Sequence, residues 1–151
     1  MRRSLICLAL IVIGSAAVGQ PLDEQAVAAT ARRTGATVEH IREAATHGCD
    51  SDMSSMNLCA EYQFVVADRR MNEVYKSVIS RHRDSKSIPA LIQSQKAWLS
   101  YRNAACAFES SGVMGGSLHA FSSLRCSMAK TELRATELEA YDSCSQPGCP
   151  W

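Results

Sequence analysis

The amino-acid sequence predicts an all-α fold: an antiparallel three-helix bundle, preceded by one or two short helices and stapled by disulfides. Three long segments carry apolar residues at gaps of three and four, which matches the 3.6-residue period of an α-helix. No segment alternates between apolar and polar residues as a half-buried strand does. An even number of cysteines follows the N-terminal segment, and in an exported chain that favours disulfides. These are Cys49, Cys59, Cys106, Cys126, Cys144 and Cys149.

Residues 1–19 have the anatomy of a secretory signal peptide. Two arginines follow Met1, an apolar run extends from Leu5 to Ile13, and small residues come next. The apolar run is too short to span a bilayer, and we expect cleavage after Ala17 or Gly19. The mature protein is therefore expected in the periplasm or outside the cell, with no stable membrane insertion.

The length of the chain limits the number of domains it can form, and its net charge limits the classes of partner it can bind. The full sequence has 151 residues, which after cleavage leaves enough chain for one domain with one core. It has 16 Lys and Arg against 15 Asp and Glu, and loss of the two N-terminal arginines makes the mature chain close to neutral. A near-neutral chain argues against binding to nucleic acid or to an anionic membrane surface.

The segment from residue 20 to residue 48 predicts a weakly helical N-terminal extension. Its helical pattern runs from Asp23 to Arg33, breaks at Gly35 and resumes from Thr37 to His47. Because its apolar stripe is thin, we expect one or two short helices that lie on the main body, or partial disorder.

The first long helix is expected to follow a turn-rich connector and to end near His82. One of Ser54, Ser55 or Asn57 is the expected N-cap, because short polar side chains accept hydrogen bonds from the free N–H groups of a first turn. Its inward positions follow the helical gaps. They are Phe64, Ala67, Met71, Val74 and Val78.

The second long helix, from about Ser87 to about Ser110, is the element around which the bundle is predicted to assemble. Pro89 falls in its first turn, where a missing N–H costs nothing. Two of its inward residues are long and polar, which predicts a buried polar network beside a tryptophan. The inward positions are Ile88, Leu91, Gln95, Trp98, Arg102 and Ala105.

A glycine-rich connector precedes the third long helix, which is predicted from Leu118 to about Tyr141. A turn-forming tail follows from residue 142 to residue 151, and in it Cys144 and Cys149 are expected to close a local loop. The inward positions of the third helix are Phe121, Leu124, Met128, Thr131, Ala135 and Leu138.

The other four cysteines are predicted to lie towards one end of the bundle, from a rise of about 1.5 Å per residue along antiparallel helices. Cys126 falls off the apolar stripe of its helix, which favours a bond to Cys49. That choice leaves Cys59 to pair with Cys106, although four cysteines allow three pairings.

The same counting of levels brings Asp68 beside Trp98 and Arg134, and it predicts an ion pair between Asp68 and Arg134. Arg102, one turn away, is the alternative partner. We interpret the polar residues of this region as a buried network that fixes the structure, because no nucleophile accompanies them. The network comprises Asp68, Asn72, Gln95, Trp98, Arg102, Thr131 and Arg134.

Two weaker patterns have residue types that occur in reactive sites. Three residues near Cys49 share one helix face and could hold a metal, but no second cluster completes the ligand shell. Glu109 and Glu132 resemble an acid–base pair, but exposed glutamates on different helices are usually solvated. We therefore expect no metal, no cofactor and no enzymatic activity. The three residues are His40, Glu43 and His47.

The glycine-rich connector is the candidate partner-binding loop. A loop anchored by a disulfide loses little freedom on binding, so it suits entry into the cleft of another protein. A plain turn between two helices is the alternative. The candidate residues are Gly112, Gly115, Gly116, Ser117 and His119.

Four motifs occur in a fixed order among Cys49, Cys59, Cys106 and Cys126. They are Ala67-Asp68-x-x-Met71-Asn72-x-x-Tyr75, Gln95-x-x-Trp98-x-x-Tyr101-Arg102, Gly115-Gly116-Ser117 and Thr131-x-x-Arg134-x-x-x-Leu138. This combination resembles the LprI-type lysozyme inhibitor domain family over about residues 49–141. The chain departs mildly from the family pattern, with Met71 in place of the usual leucine and Asn103 in place of a common aspartate.

The resemblance implies a secreted or periplasmic helical domain that, in some members, binds and inhibits lysozyme. The expected partner is then a protein with a carboxylate-bearing cleft, to which Ser117, His119 and free backbone N–H groups would donate. The alternative is an envelope structural or interaction module that binds another protein, for example a toxin, without affinity for lysozyme. The resemblance does not extend to the N-terminal extension or to the C-terminal tail.

Overall fold

The computed structural model describes residues 21–47 and 49–151, and it confirms the predicted all-α fold. These residues form five α-helices and one turn of 3-10 helix, with no strand among them. The predicted signal peptide lies outside the described residues. The helices are α1 (Glu24–Thr34), α2 (Val38–His47), α3 (Met53–Arg81), α4 (Ile88–Glu109) and α5 (Leu118–Asp142), and the 3-10 turn is Ser111–Val113.

The N-terminal extension forms the helices α1 and α2, which both pack on α3. Asp23 caps α1, because its Oδ1 accepts hydrogen bonds from the backbone N–H groups of Gln25 and Ala26 at 2.9 and 3.0 Å. Gly35 ends the helix in the left-handed conformation, with φ of 75°, which a glycine adopts without strain. The residues that this pair of helices buries are Ala26, Val27, Thr30, Ile41 and Ala44.

The N-cap of α3 is Asp52, so the expectation of Ser54, Ser55 or Asn57 was wrong. The Asp52 Oδ1 atom accepts from the backbone N–H groups of Ser54 and Ser55 at 2.9 and 3.1 Å, and its Oδ2 accepts from the Ser55 hydroxyl at 2.8 Å. These hydrogen bonds, that from the Ser55 hydroxyl first, lower the pKa of Asp52. Because Asp52 occupies the capping position, Ser54 and Ser55 lie inside the first turn of α3.

Helices α3, α4 and α5 form the up-down-up bundle, in which α3 and α5 run parallel. An ion pair between Arg70 and Glu139, with N···O of 2.7 Å, bridges α3 and α5 at the surface. Helix α4 packs on α5 and stands farther from α3, so long side chains fill the space between them. The apolar core between the three helices comprises Met71, Val78, Ile88, Leu91, Ala135 and Leu138.

Three disulfides staple the fold. They are Cys49–Cys59, Cys106–Cys126 and Cys144–Cys149. The predicted bond within the tail is present, but the predicted bonds Cys49–Cys126 and Cys59–Cys106 were wrong. Helix α2 folds back on α3 and brings Cys49 beside Cys59, with Cα atoms 5.3 Å apart. Helix α4 lies against α5, so Cys106 faces Cys126 across the short connection, with Cα atoms 5.5 Å apart.

The C-terminal tail covers the end of the bundle where α3 ends and α4 begins. The Trp151 ring stacks on the His82 ring, with centroids 4.0 Å apart. The Trp151 indole N–H donates to the carbonyl oxygen of Tyr141 at 2.9 Å. This tail therefore closes one end of the bundle, and the glycine-rich connector lies at the other.

Candidate functional site

The structure brings together all seven residues of the predicted polar network, between α3, α4 and α5. Arg102, which is 9% exposed, donates from Nη1 to Asp68 Oδ1 at 3.2 Å and to Thr131 Oγ1 at 3.0 Å. Asn72 Nδ2 donates to the other oxygen of Asp68 at 2.9 Å. The single carboxylate in the network is thus shared between an arginine and an amide.

The ion pair within this network is Asp68 with Arg102, so the prediction of Asp68 with Arg134 was wrong and its alternative is observed. Side chains on a helix lean towards the N-terminus of that helix. On the antiparallel helix α4, Arg102 therefore leans towards the level of Trp98, which is the level of Asp68. The prediction compared only the heights of Cα atoms along the helices. It did not take into account that side chains lean, so it selected the wrong arginine.

Arg134 has its own set of partners. It is 5% exposed and donates from Nε to Gln95 Oε1 at 2.9 Å. Its two Nη atoms donate to Glu137 Oε2 at 2.8 Å and to Ser94 Oγ at 3.3 Å. Gln95 directs its amide nitrogen at Met71 Sδ, 3.4 Å away. Each nitrogen of this guanidinium is therefore engaged within the fold.

Trp98 contacts both buried guanidinium groups. The Cζ atoms of Arg102 and Arg134 lie 5.3 and 5.9 Å from the Trp98 ring centroid, and that of Arg102 lies 5.2 Å from the Phe64 centroid. Such cation–π contacts stabilise a desolvated cation. The network joins three helices through charge-assisted hydrogen bonds and aromatic contacts.

The candidate loop is a tight, ordered connection. After the 3-10 turn Ser111–Val113, which contains Gly112, Gly115 adopts φ of 79°, where only glycine is unstrained. A side chain on Gly116 would place its Cβ 3.2 Å from the Val113 carbonyl oxygen. Ser117 precedes α5 and makes no side-chain capping bond, so its exposed hydroxyl is available to a partner.

His119 differs from the other candidate loop residues, because it turns towards the protein. It is half-buried, and its Nε2 lies 3.3 Å from the Ser110 hydroxyl oxygen. That hydroxyl donates to the carbonyl oxygen of Cys106 at 2.8 Å, so it can accept a hydrogen bond from His119 Nε2. His119 therefore secures the loop to α4.

Three large apolar side chains beside the loop point to solvent instead. Phe108 is 78% exposed, Met114 is 69% exposed and Leu118 is 41% exposed. We refer to residues 108–119 as the loop end. The inward positions of the predicted helices do not include these residues, so the helical pattern alone does not identify them. The available signal was an apolar residue off the inward stripe, next to a glycine-rich turn.

The residues of the two weaker patterns are exposed on α2, α4 and α5. Cys49 is in a disulfide, and within residues 21–47 and 49–151 no cluster of three or more His, Cys, Asp or Glu is arranged to hold a metal ion. Glu109 pairs with Lys130, with N···O of 3.0 Å, and Glu132 is exposed. In the same part of the chain, no helix combines the length and apolar character needed to cross a membrane.

Fold and site together define a class of protein, the disulfide-stapled helical domain with a buried structural network and an apolar loop end. Comparison with known families is more specific. The model of the family described as lysozyme inhibitor LprI matches residues 46–138. The chain belongs to this family.

A distant relative is an uncharacterized protein of Rhizobium meliloti (strain 1021). It is 26% identical over 105 residues, which span 60% of this chain and 76% of that protein. No solved structure matches the chain significantly.

Proposed function

We propose that this protein is a non-catalytic, secreted or periplasmic lysozyme inhibitor, and that its loop end blocks the substrate cleft of the enzyme. The observation that carries this proposal is the apolar loop end within the segment that matches the lysozyme inhibitor family. Export is supported by the signal-like sequence of residues 1–19.

The loop end has two physical properties that suit it to a cleft. Exposed apolar side chains lose contact with water when a partner covers them, and large exposed patches mark interaction sites. The Cys106–Cys126 disulfide and the His119 hydrogen bond hold the loop in place before binding, so little freedom is lost on association. Ser117 supplies a hydrogen-bond donor for the carboxylates that line a lysozyme cleft.

The first test is the rate at which lysozyme lyses a peptidoglycan suspension in the presence of the purified, oxidised protein. A molar excess of the protein is expected to slow lysis, and Met114→Ser is expected to weaken that effect. Leu133→Ser is the matched control, because Leu133 is also 69% exposed but lies on α5 away from the loop end. Undiminished lysis at a large molar excess contradicts the proposal.

A further inference from the structure

The described residues contain ten arginines, and eight of them pair with a carboxylate. The two that do not are Arg32, on α1, and Arg125, on α5. Of these, Arg125 alone lies in the segment that matches the inhibitor family. An exposed arginine without an internal counter-ion is free to pair with a carboxylate of another molecule.

The one hydrogen bond that Arg125 makes leaves two N–H groups of its guanidinium without a partner among the described residues. Its Nη1 donates to Gln63 Oε1, a neutral acceptor, at 3.1 Å. Among the described residues the Nε and Nη2 groups have no partner. Those two N–H groups point in parallel and match the two oxygens of a carboxylate, which gives a bidentate ion pair. Gln63 thus orients the guanidinium without neutralising its charge.

Arg125 also borders an open groove of about 350 Å³ between α3 and α5. Half of the residues that line the groove are apolar or aromatic, so the apolar part of a side chain that follows a carboxylate into it would lose some contact with water. The groove is lined by Tyr62, Gln63, Val66, Arg125, Met128 and Glu132.

The groove and the loop end belong to one surface. Leu118 and Arg125 are seven residues apart on α5 and therefore lie on the same stripe, separated by about 10 Å along the helix. Cys126 follows Arg125 directly, and its disulfide to Cys106 ties this part of α5 to α4 beside the loop. A standard protein interface is wide enough to cover both.

We propose that Arg125 binds a cleft carboxylate of the lysozyme partner while the loop end fills the adjacent part of the cleft. This inference rests on the proposed function. Its chemical basis is complementarity of charge, since glycosidases of this kind carry a pair of carboxylates at the scissile bond. The two parallel N–H groups of an arginine match the two oxygens of one such carboxylate better than the point charge of a lysine does.

The test compares inhibition of peptidoglycan lysis by four proteins: wild type, Arg125→Ala, Arg125→Lys and Arg32→Ala. Arg125→Ala is expected to raise the half-inhibitory concentration about tenfold or more, because hydrogen bonds between charged groups are lost. Arg125→Lys keeps the positive charge but lacks the two parallel N–H groups, so an intermediate half-inhibitory concentration is expected. Arg32→Ala, which removes the other arginine without a carboxylate partner, is expected to match wild type. Circular dichroism and thermal melts check that all four fold alike.

The outcomes separate the two proposals. If wild type inhibits and Arg125→Ala inhibits equally well, the role of Arg125 is overturned and the proposed function stands. If wild type does not inhibit at all, both are overturned. An equal loss of inhibition in Arg32→Ala and Arg125→Ala also contradicts the inference, because it would show a general effect of net charge.

Discussion

Arg102 and Arg134 are buried arginines, and each is paired with a carboxylate. Both guanidinium groups are almost removed from solvent, and each has one carboxylate partner, Asp68 for Arg102 and Glu137 for Arg134. A desolvated arginine that loses its counter-ion costs far more than the intact pair contributes. The stability of the bundle therefore depends on a few polar atoms as well as on its apolar core.

Asp68→Ala is predicted to lower the free energy of unfolding by about 3 kcal/mol, because it strands Arg102 beside two aromatic rings. The measurement is chemical denaturation of the oxidised protein. Glu139→Ala is the matched control, since it breaks the solvated pair with Arg70 and should cost less than about 1 kcal/mol. Equal midpoints for Asp68→Ala and wild type would refute the structural role of the network.

The membership of this network could be predicted from sequence, but its pairing could not. Helical spacing places Gln95 and Arg102 among the inward residues of α4, and polar residues there must find partners. Which carboxylate faces which arginine depends on the lean and length of side chains, and that is why Arg134 was assigned the partner of Arg102. The proposed role of Arg125 depends on the lack of a counter-ion among the described residues, and no local sequence pattern reveals that lack.

At the scale of elements, the helix boundaries follow from local chemistry and the cross-links do not. Pro89, Gly35 and Gly115 mark starts and stops by their backbone preferences, so the three long helices and the break within the N-terminal extension could be located from sequence. The disulfides instead depend on which helices are neighbours. Because α4 lies closer to α5 than to α3, Cys106 bonds to Cys126.

The Cys106–Cys126 disulfide is predicted to support both stability and inhibition. The double variant Cys106→Ser, Cys126→Ser should lower the free energy of unfolding by about 3 kcal/mol, from the loop entropy that the bond removes from the unfolded chain. It should also weaken inhibition of lysozyme, because the loop end becomes mobile. Denaturation and lysis assays measure the two effects.

The control for that experiment is the double variant Cys144→Ser, Cys149→Ser. It removes a disulfide at the opposite end of the bundle, so stability should fall by about 2 kcal/mol while inhibition stays unchanged. Loss of inhibition in both double variants would mean that inhibition follows stability alone. That result would remove the special role of the loop end.

At the scale of the whole molecule, the ends of the bundle differ. One end is covered by the tail, where Trp151 stacks on His82. The flank of α3 is covered by α1 and α2. The loop end is left as an apolar, uncovered surface.

An ion pair secures α1 to α3, because Arg69 on α3 binds Asp23 with N···O of 3.1 Å. Burial tends to raise the pKa of Asp23, but hydrogen bonds from Ala26 and Arg69 outweigh it and lower the pKa overall.

The arrangement of the whole molecule accounts for features of the candidate site that the sequence does not reveal. The glycine-rich loop was recognisable as a candidate because of its composition, but the exposure of Phe108 and Met114 follows from how the connection turns between α4 and α5. The family motifs report mostly the buried network. They identify the fold that presents the surface, and the surface itself emerges only when the helices are packed.

The most direct test of cleft blocking is calorimetric titration of lysozyme with this protein, in the absence and presence of an oligosaccharide that fills the substrate cleft. The account predicts saturable binding to free lysozyme and its loss when the cleft is filled. Binding that is unaffected by the oligosaccharide, or no binding to free lysozyme, would contradict it.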